Sequence, residues 1–242
     1  MSKIPEVRVR QDLTKVIDTL GLKTGVEIGV FKGAFSEYLL DNSSLDILHG
    51  VDSWSNDPKE TKAAFKKWVH KDEQMEGYYQ ETLDKLAKFG KRSHIIRATS
   101  ATGVTGFEDN SLDFIYIDAS HRFSGVALDL MLWWPKLKEG GIFAGHDYLV
   151  SYRYEVMEAV NGFMIEQKQV FDITTDETDH RGGAYYPPTW WCIKTKMTKQ
   201  EWNQRVLEAL PSLLEKQKKL EKDGVRVIYP YQFFDVPGAQ KL

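Results

Sequence analysis

The sequence predicts an α/β fold, a mostly parallel sheet with helices on both faces. Three observations predict it. Short apolar runs alternate with segments of helical pattern, the signature of βα units. Residues 112–118 (LDFIYID) are apolar from Phe114 up to a terminal acid, as suits an inner strand covered on both sides. Asp52, Asp118 and Asp147 each close such a run. Sheets of this kind place ligands at the carboxyl ends of their strands, where these acids fall.

In order along the chain, residues 1–23 read as an arm and a helix over 10–20 that stops at Gly21. Residues 24–29 (TGVEIG) form a buried strand and a tight turn, and 33–40 a helix. Residues 45–52 are a second strand. The charged stretch 58–89 is helical, with a break near Gly77. Strands follow at 93–98, 112–118 and 141–148. Between the last two lies a helix over 123–137, closed by Lys138 and the Gly140–Gly141 turn. A helix covers 151–167, a loop 180–188 and a strand 189–194. The charged helix 196–222 carries Trp202, Val206, Leu210, Leu213 and Leu214. Residues 225–234 suit an edge strand, because Pro230 has no N–H to give a ladder. These elements make one domain, residues 1–242: an N-terminal arm and helix (1–23), a core (24–195) and a C-terminal decoration (196–242).

Composition narrows the classes. The chain has 242 residues, 42% of them hydrophobic, so it can bury a substantial core. A net charge of −3 argues against a nucleic-acid partner. The lysine-rich residues 59–71 read as a solvated helix face. Cys192 is alone, which excludes an internal disulfide. The first residues lack the apolar centre of a signal peptide, and no run of about 18 apolar residues occurs. The expectation is a cytoplasmic protein with no membrane partner. A homodimer stays open.

The turn at residues 26–36 (VEIGVFKGAFS) carries the first chemical signal. Gly29 and Gly33 allow close backbone approach, and Glu27 can accept a hydrogen bond from an amino group. A dinucleotide turn needs a middle glycine beneath its pyrophosphate, and here Phe31 holds that place. No phosphate-binding GxxxxGK[ST] loop occurs either. A nucleoside without phosphate fits better. Asp52 stands where an acid about 20 residues beyond such a turn binds ribose hydroxyls.

Three blocks carry a family resemblance: EIGVFKG (27–33), GVDSW (50–54) and YIDASHRFSGVALDLMLWWPKLKEGGIFAGHDY (116–148). Together they resemble the class I S-adenosylmethionine-dependent methyltransferases. More narrowly, they are similar to small-molecule O-methyltransferases that include macrocin-type sugar enzymes. The resemblance spans residues 24–194. It implies a Rossmann-like, seven-stranded, mostly parallel sheet and S-adenosyl-L-methionine as cofactor. Glu27, Gly29 and Gly33 would surround the methionine part, and Asp52 with Ser53 the ribose. Ser100, or its neighbours Thr99 and Ala98, would face adenine, and Asp118 would also touch the cofactor. Trp54 either covers the cofactor or packs on the core.

Methyl transfer to oxygen is an in-line displacement that needs alignment and a nucleophile relieved of its proton. His121 follows Asp118 where catechol-type relatives carry a basic residue, and histidine titrates near neutral pH. Asp118 and Asp147 would orient the acceptor or, with His146, hold Mn²⁺ or Mg²⁺. Metal-dependent relatives carry acids or amides at the 146–147 pair, so His146 departs from their pattern. Both histidines have a structural alternative, fixing loops by hydrogen bonds. Residues 179–186 form either a lid or a plain connection. The expected acceptor is a small-molecule or glycan hydroxyl, foremost a sugar. An inactive cofactor-binding interaction module and a hydroxylase-like enzyme on the same fold remain alternatives.

Overall fold

The computed structural model describes residues 3–55, 71–150, 155–177 and 187–233. The 59–71 stretch, except Lys71, and the 179–186 loop lie outside these residues. The strands are β1 (Thr24–Ile28), β2 (Ile47–Asp52), β3 (Ser93–Arg97), β4 (Leu112–Ile117), β5 (Leu137–Gly145), β6 (Asp172–Ile173) and β7 (Trp190–Ile193). The helices of eight or more residues are α1 (Leu13–Leu20), α2 (Ala34–Asn42), α3 (Asp72–Leu86), α5 (Phe123–Trp133), α6 (Val156–Glu166) and α7 (Lys199–Lys222). The short α4 spans Ser100–Gly103.

The strands form one seven-stranded sheet in the order β3-β2-β1-β4-β5-β7-β6. Strands β1 to β5 run parallel, and β7 is antiparallel to both its neighbours. Side chains alternate between two cores. Ile115, Ile117 and Phe143 face α5, α6 and α7 with Trp133, Val160 and Val206. Phe114, Tyr116 and Ile142 face α1 and α2 with Leu13, Ile17 and Leu39. A run buried on both sides is the reason 114–117 lacks polar alternation. Order reverses between β1 and β4, which opens a crevice at their carboxyl ends.

Three expectations change. The helix over 123–137 ends at Trp133, and Lys138 and Gly140–Gly141 lie inside β5 rather than closing a helix, beside a register shift between Leu112 and Phe114. Among the described residues, 225–233 form no strand. Val225, Val227 and Tyr229 alternate inward, but the carbonyl of Ile228 accepts from the Tyr148 hydroxyl (2.8 Å) and Asn161 Nδ2 (3.0 Å). Side chains thus take a bond that a ladder would take, and Pro230 opens a 3₁₀ turn, Pro230–Phe233. The seventh strand is instead β6, two residues long. Helix α3 also runs unbroken through Gly77, where an added Cβ would meet nothing. Helix α7 begins on a Thr198–Glu201 capping box and buries Trp202, Val206, Leu210 and Leu213 on one face. Among the described residues, no helix is long and apolar enough to cross a membrane.

On β2 and β3, His49 and His94 sit in register with Nδ1 atoms 3.1 Å apart. Burial first, then the neighbouring ring, pushes His49 down from 6.5 to about 4. The folded chain therefore disfavours the proton that the unfolded chain binds, so stability is lost as pH falls from about 6.5 toward 4. His49→Gln should flatten that part of the curve, as read from urea midpoints at several pH values. An unchanged slope would remove His49 as its source.

Candidate active site

The crevice at the carboxyl ends of β1, β4 and β5 gathers most of the residues singled out by sequence. Gly29 leaves β1 with φ +88°. A Cβ there would lie 2.0 Å from the carbonyl oxygen of Asp118, so glycine lets the β1 turn touch the end of β4. At Gly33 (φ +69°) a Cβ would meet Thr82 Cγ2 at 3.1 Å, which brings the turn against α3. The Phe31 carbonyl between them accepts from Trp54 Nε1 (2.7 Å) and from the Thr82 hydroxyl (2.8 Å). The turn is thus fixed from two sides.

Glu27 is buried and hydrogen-bonded by the Ser36 hydroxyl of α2. Burial pushes its carboxyl up to about 8, against the opposing effect of the Ser36 bond. It is therefore neutral near pH 7. Asp52 accepts the N–H of Trp54 at Oδ1 (2.7 Å) and of Phe31 at Oδ2 (2.9 Å). A carboxylate has about four acceptor directions, so both oxygens keep capacity for a diol. Ser53 bonds locally with Ser55, hydroxyl to hydroxyl at 2.9 Å. Trp54 is buried and packs on Tyr79 at 4.8 Å, which matches the core alternative. Thr99 caps α4 by accepting the Thr102 N–H (3.2 Å). Ser100 accepts from Trp133 Nε1 (2.8 Å) and bonds to Asp129, so it ties α4 to α5. Ala98 continues the sheet ladder through its N–H to the Asp52 carbonyl (2.9 Å). The residues present fit a nucleoside: an acid with spare acceptors beside a turn held open by glycine.

Asp118 follows β4 and Asp147 follows β5, on neighbouring strands. His121 Nε2 lies 2.8 Å from Asp147 Oδ2. His146 Nδ1 stands 3.4 Å from Asp147 and 3.9 Å from Asp118. Asp147 holds φ +60°, an unusual strain for a side-chain-bearing residue and one that aims its carboxylate at both histidines. Burial raises the Asp147 carboxyl, but the His146 charge and the His121 hydrogen bond outweigh it and hold it well below the usual range. Burial instead prevails at Asp118 and raises it, with His146 and Arg10 opposing. Burial lowers His146, but the two acids raise it further. The four residues line a cavity of about 10 Å³, room for roughly one water-sized sphere.

The groups that meet as candidate metal ligands are Asp118, His121 and Asp147, whose donor atoms lie within 4.8 Å of one another. His121 thus enters a set expected from Asp118, His146 and Asp147. Two oxygens and one imidazole fit Mn²⁺. Sequence reasoning missed Ser36 and Arg10. Ser36 sits inside the motif but has no pattern to mark it. Arg10 reaches Asp118 from the N-terminal arm, Nη1 to Oδ2 at 3.6 Å, and no local spacing reports so distant a partner.

Residues 26–148, just over half the chain, match the family described as a methyltransferase domain. An O-methyltransferase from Bacillus cereus, solved with SAH, shares 12% identity with a TM-score of 0.55, over 79% of this chain and 84% of that one. An rRNA methylase from Streptococcus thermophilus shares 13% with a TM-score of 0.52, over 81% and 100%. A precorrin-6y C5,15-methyltransferase from Geobacter metallireducens shares 11% with a TM-score of 0.52, over 80% and 94%. At such identities the likeness carries the fold alone. No curated protein sequence matches the chain at a significant level.

Proposed function

We infer the acceptor chemistry from a fixed premise: this chain belongs to the methyltransferase domain family, and it is a class I S-adenosylmethionine-dependent methyltransferase. Its reaction, in our reading, is O-methylation of a small-molecule or glycan hydroxyl, foremost a sugar. The observation that carries this reading is the His121–Asp147 pair, 2.8 Å apart, beside Asp118 at the mouth of the crevice. An alcohol is a poor nucleophile until a base takes its proton, and a carboxylate-held imidazole is suited to that task.

S-Adenosylmethionine supplies an electrophilic methyl carbon on a sulfonium; the C–S bond breaks, a C–O bond forms, and S-adenosylhomocysteine and a methyl ether result. Asp147 accepts from His121 Nε2, which fixes the tautomer and assigns the acceptor proton to Nδ1. Asp118 orients the acceptor from the next strand. Asp52, with Ser53 beside it, would hold the ribose hydroxyls. The turn from Glu27 to Gly33 would surround the methionine part, and the Ala98–Ser100 segment would face adenine.

A second reading has an observation of its own, the cluster of Asp118, His121 and Asp147. Those three, with His146 beside them, would hold a divalent ion such as Mn²⁺ or Mg²⁺, which supplies Lewis-acid activation of a hydroxyl. Activity of chelator-treated protein separates the readings: retention favours the histidine base, and restoration by Mn²⁺ or Mg²⁺ favours the ion.

Asp52→Ala should weaken S-adenosylhomocysteine binding by about 1.5–3 kcal/mol, the worth of hydrogen bonds to a charged group. Calorimetry checks it, and unchanged affinity would remove Asp52 from the ribose site. Methyl transfer from labelled cofactor to a panel of sugars tests the acceptor. Transfer to amines or RNA in place of hydroxyls would overturn that part.

A further inference from the structure

Two histidines outside the crevice face each other at the edge of the sheet. Parallel pairing sets His49 of β2 opposite His94 of β3, the edge strand. Both side chains fall on the sheet face that carries Val51 and Ile96. Their Nδ1 atoms are 3.1 Å apart and their ring centroids 5.2 Å. Among the described residues, each Nδ1 has the other as its hydrogen-bond partner. Phe107 stands edge-on to the His49 ring, centroids 5.0 Å apart and planes at 89°, and itself packs on buried Trp133. His49 is thus half-buried and held in place, while His94 is exposed and its ring can adjust. Asp52 lies three positions beyond His49, about 10 Å further along the strand direction.

Two imidazole lone pairs cannot share so narrow a gap unless something positive lies between them. In the metal-free chain one shared proton does this, and a transition-metal ion can take its place. Imidazole nitrogens bind Zn²⁺ at about 2.0–2.1 Å, so two of them on one ion, at bond angles of about 90–109°, stand about 2.8–3.4 Å apart. The observed spacing of 3.1 Å lies inside that bite. We propose that His49 and His94 form a metal site apart from the crevice, a two-imidazole chelate for a divalent ion of the Ni²⁺, Cu²⁺ and Zn²⁺ class, with water completing the coordination. Imidazole suits these ions, whereas Mg²⁺ and Ca²⁺ call for oxygen ligands. Strand register already sets the two ligands at the required spacing, so little ordering remains to oppose binding. On binding, the ring that held the shared proton carries it on Nε2 instead, and both Nδ1 lone pairs turn to the ion. The ion then ties the edge strand β3 to β2. Strand β1 separates this pair from the Asp118, His121 and Asp147 cluster beyond β4 and β5, and the site does not depend on the cofactor reading.

Thermal unfolding and calorimetry with NiCl₂, on protein free of any histidine tag, test the site. Ni²⁺ at a hundredfold excess over its Kd should raise the melting temperature by about 5–10 °C. His94→Gln and His49→Gln should each weaken Ni²⁺ binding at this site at least about tenfold, since losing a ligand costs no less than losing an outer partner of one. The double variant should be scarcely worse than either, because one remaining imidazole no longer chelates. His94 is exposed, so His94→Gln keeps the fold, which its melting temperature in EDTA certifies. Asp147→Asn, which alters the crevice cluster, should leave the histidine-dependent part of the shift in place. Any shift given by Mg²⁺ should be the same with and without His94. A Ni²⁺ shift and affinity equal in the unaltered chain and His94→Gln overturn the proposal and assign the ion to another site. Binding by the unaltered chain only at millimolar Ni²⁺ also overturns it, leaving the pair as a hydrogen-bonded link between β2 and β3.

Discussion

His121→Ala should lower kcat by about 10²- to 10⁴-fold, the usual worth of a general base, while S-adenosylhomocysteine affinity stays close to that of the unaltered chain. His121 is bonded to Asp147, its proposed role is that of base toward the acceptor, and no cofactor contact is assigned to it. Asp147→Asn offers the partner test. An amide keeps the shape but presents His121 with a different hydrogen-bonding group, so the preferred tautomer is lost. The two residues act as a unit, so the double variant should be scarcely slower than His121→Ala alone. Near-normal turnover of His121→Ala would take proton removal away from this pair. Multiplying losses would show that the two work independently.

Gly29→Ala should destabilise the fold by about 2–5 kcal/mol, from a left-handed backbone and an overpacked contact together. Its φ is +88°, and the new Cβ would lie 2.0 Å from the Asp118 carbonyl oxygen. Backbone cannot swing aside as a flexible side chain can. In a chain of this size each kcal/mol lowers the melting temperature by about 2–4 °C, which thermal unfolding resolves easily. Gly33→Ala should cost less, because its Cβ meets a Thr82 methyl at 3.1 Å rather than main chain. A Gly29→Ala protein as stable as the original would contradict the close approach of β1 and β4. The same substitution also presses on Asp118, so any folded fraction should bind cofactor poorly.

These two results concern features legible to very different degrees in the sequence. The strand-end acids were legible, because a parallel sheet puts carboxyl ends on one edge and Asp52, Asp118 and Asp147 each close an apolar run. That His121 would bond Asp147 was not, since it depends on which strands neighbour each other and on the left-handed turn at Asp147. The glycine turn read correctly as a place of close approach, but its closest neighbour is the chain's own backbone at Asp118. Residues 225–229 show how burial can imitate a strand: Val225, Val227 and Tyr229 alternate, yet Tyr148 and Asn161 take the Ile228 carbonyl that a ladder needs. Strand β6, two residues long, is too short for any periodicity to show. Arg10 was out of reach for the same reason as Asp147: its partner lies across the fold, and only the docked arm brings them together.

A crystal structure with S-adenosylhomocysteine at saturating concentration tests the central claim most directly. The ligand should lie along the turn from Gly29 to Gly33, its ribose hydroxyls on Asp52, its adenine beside residues 98–100 and its sulfur pointing toward Asp118 and His121. A bare crevice in those crystals, or the ligand bound elsewhere with Asp52 untouched, would contradict it.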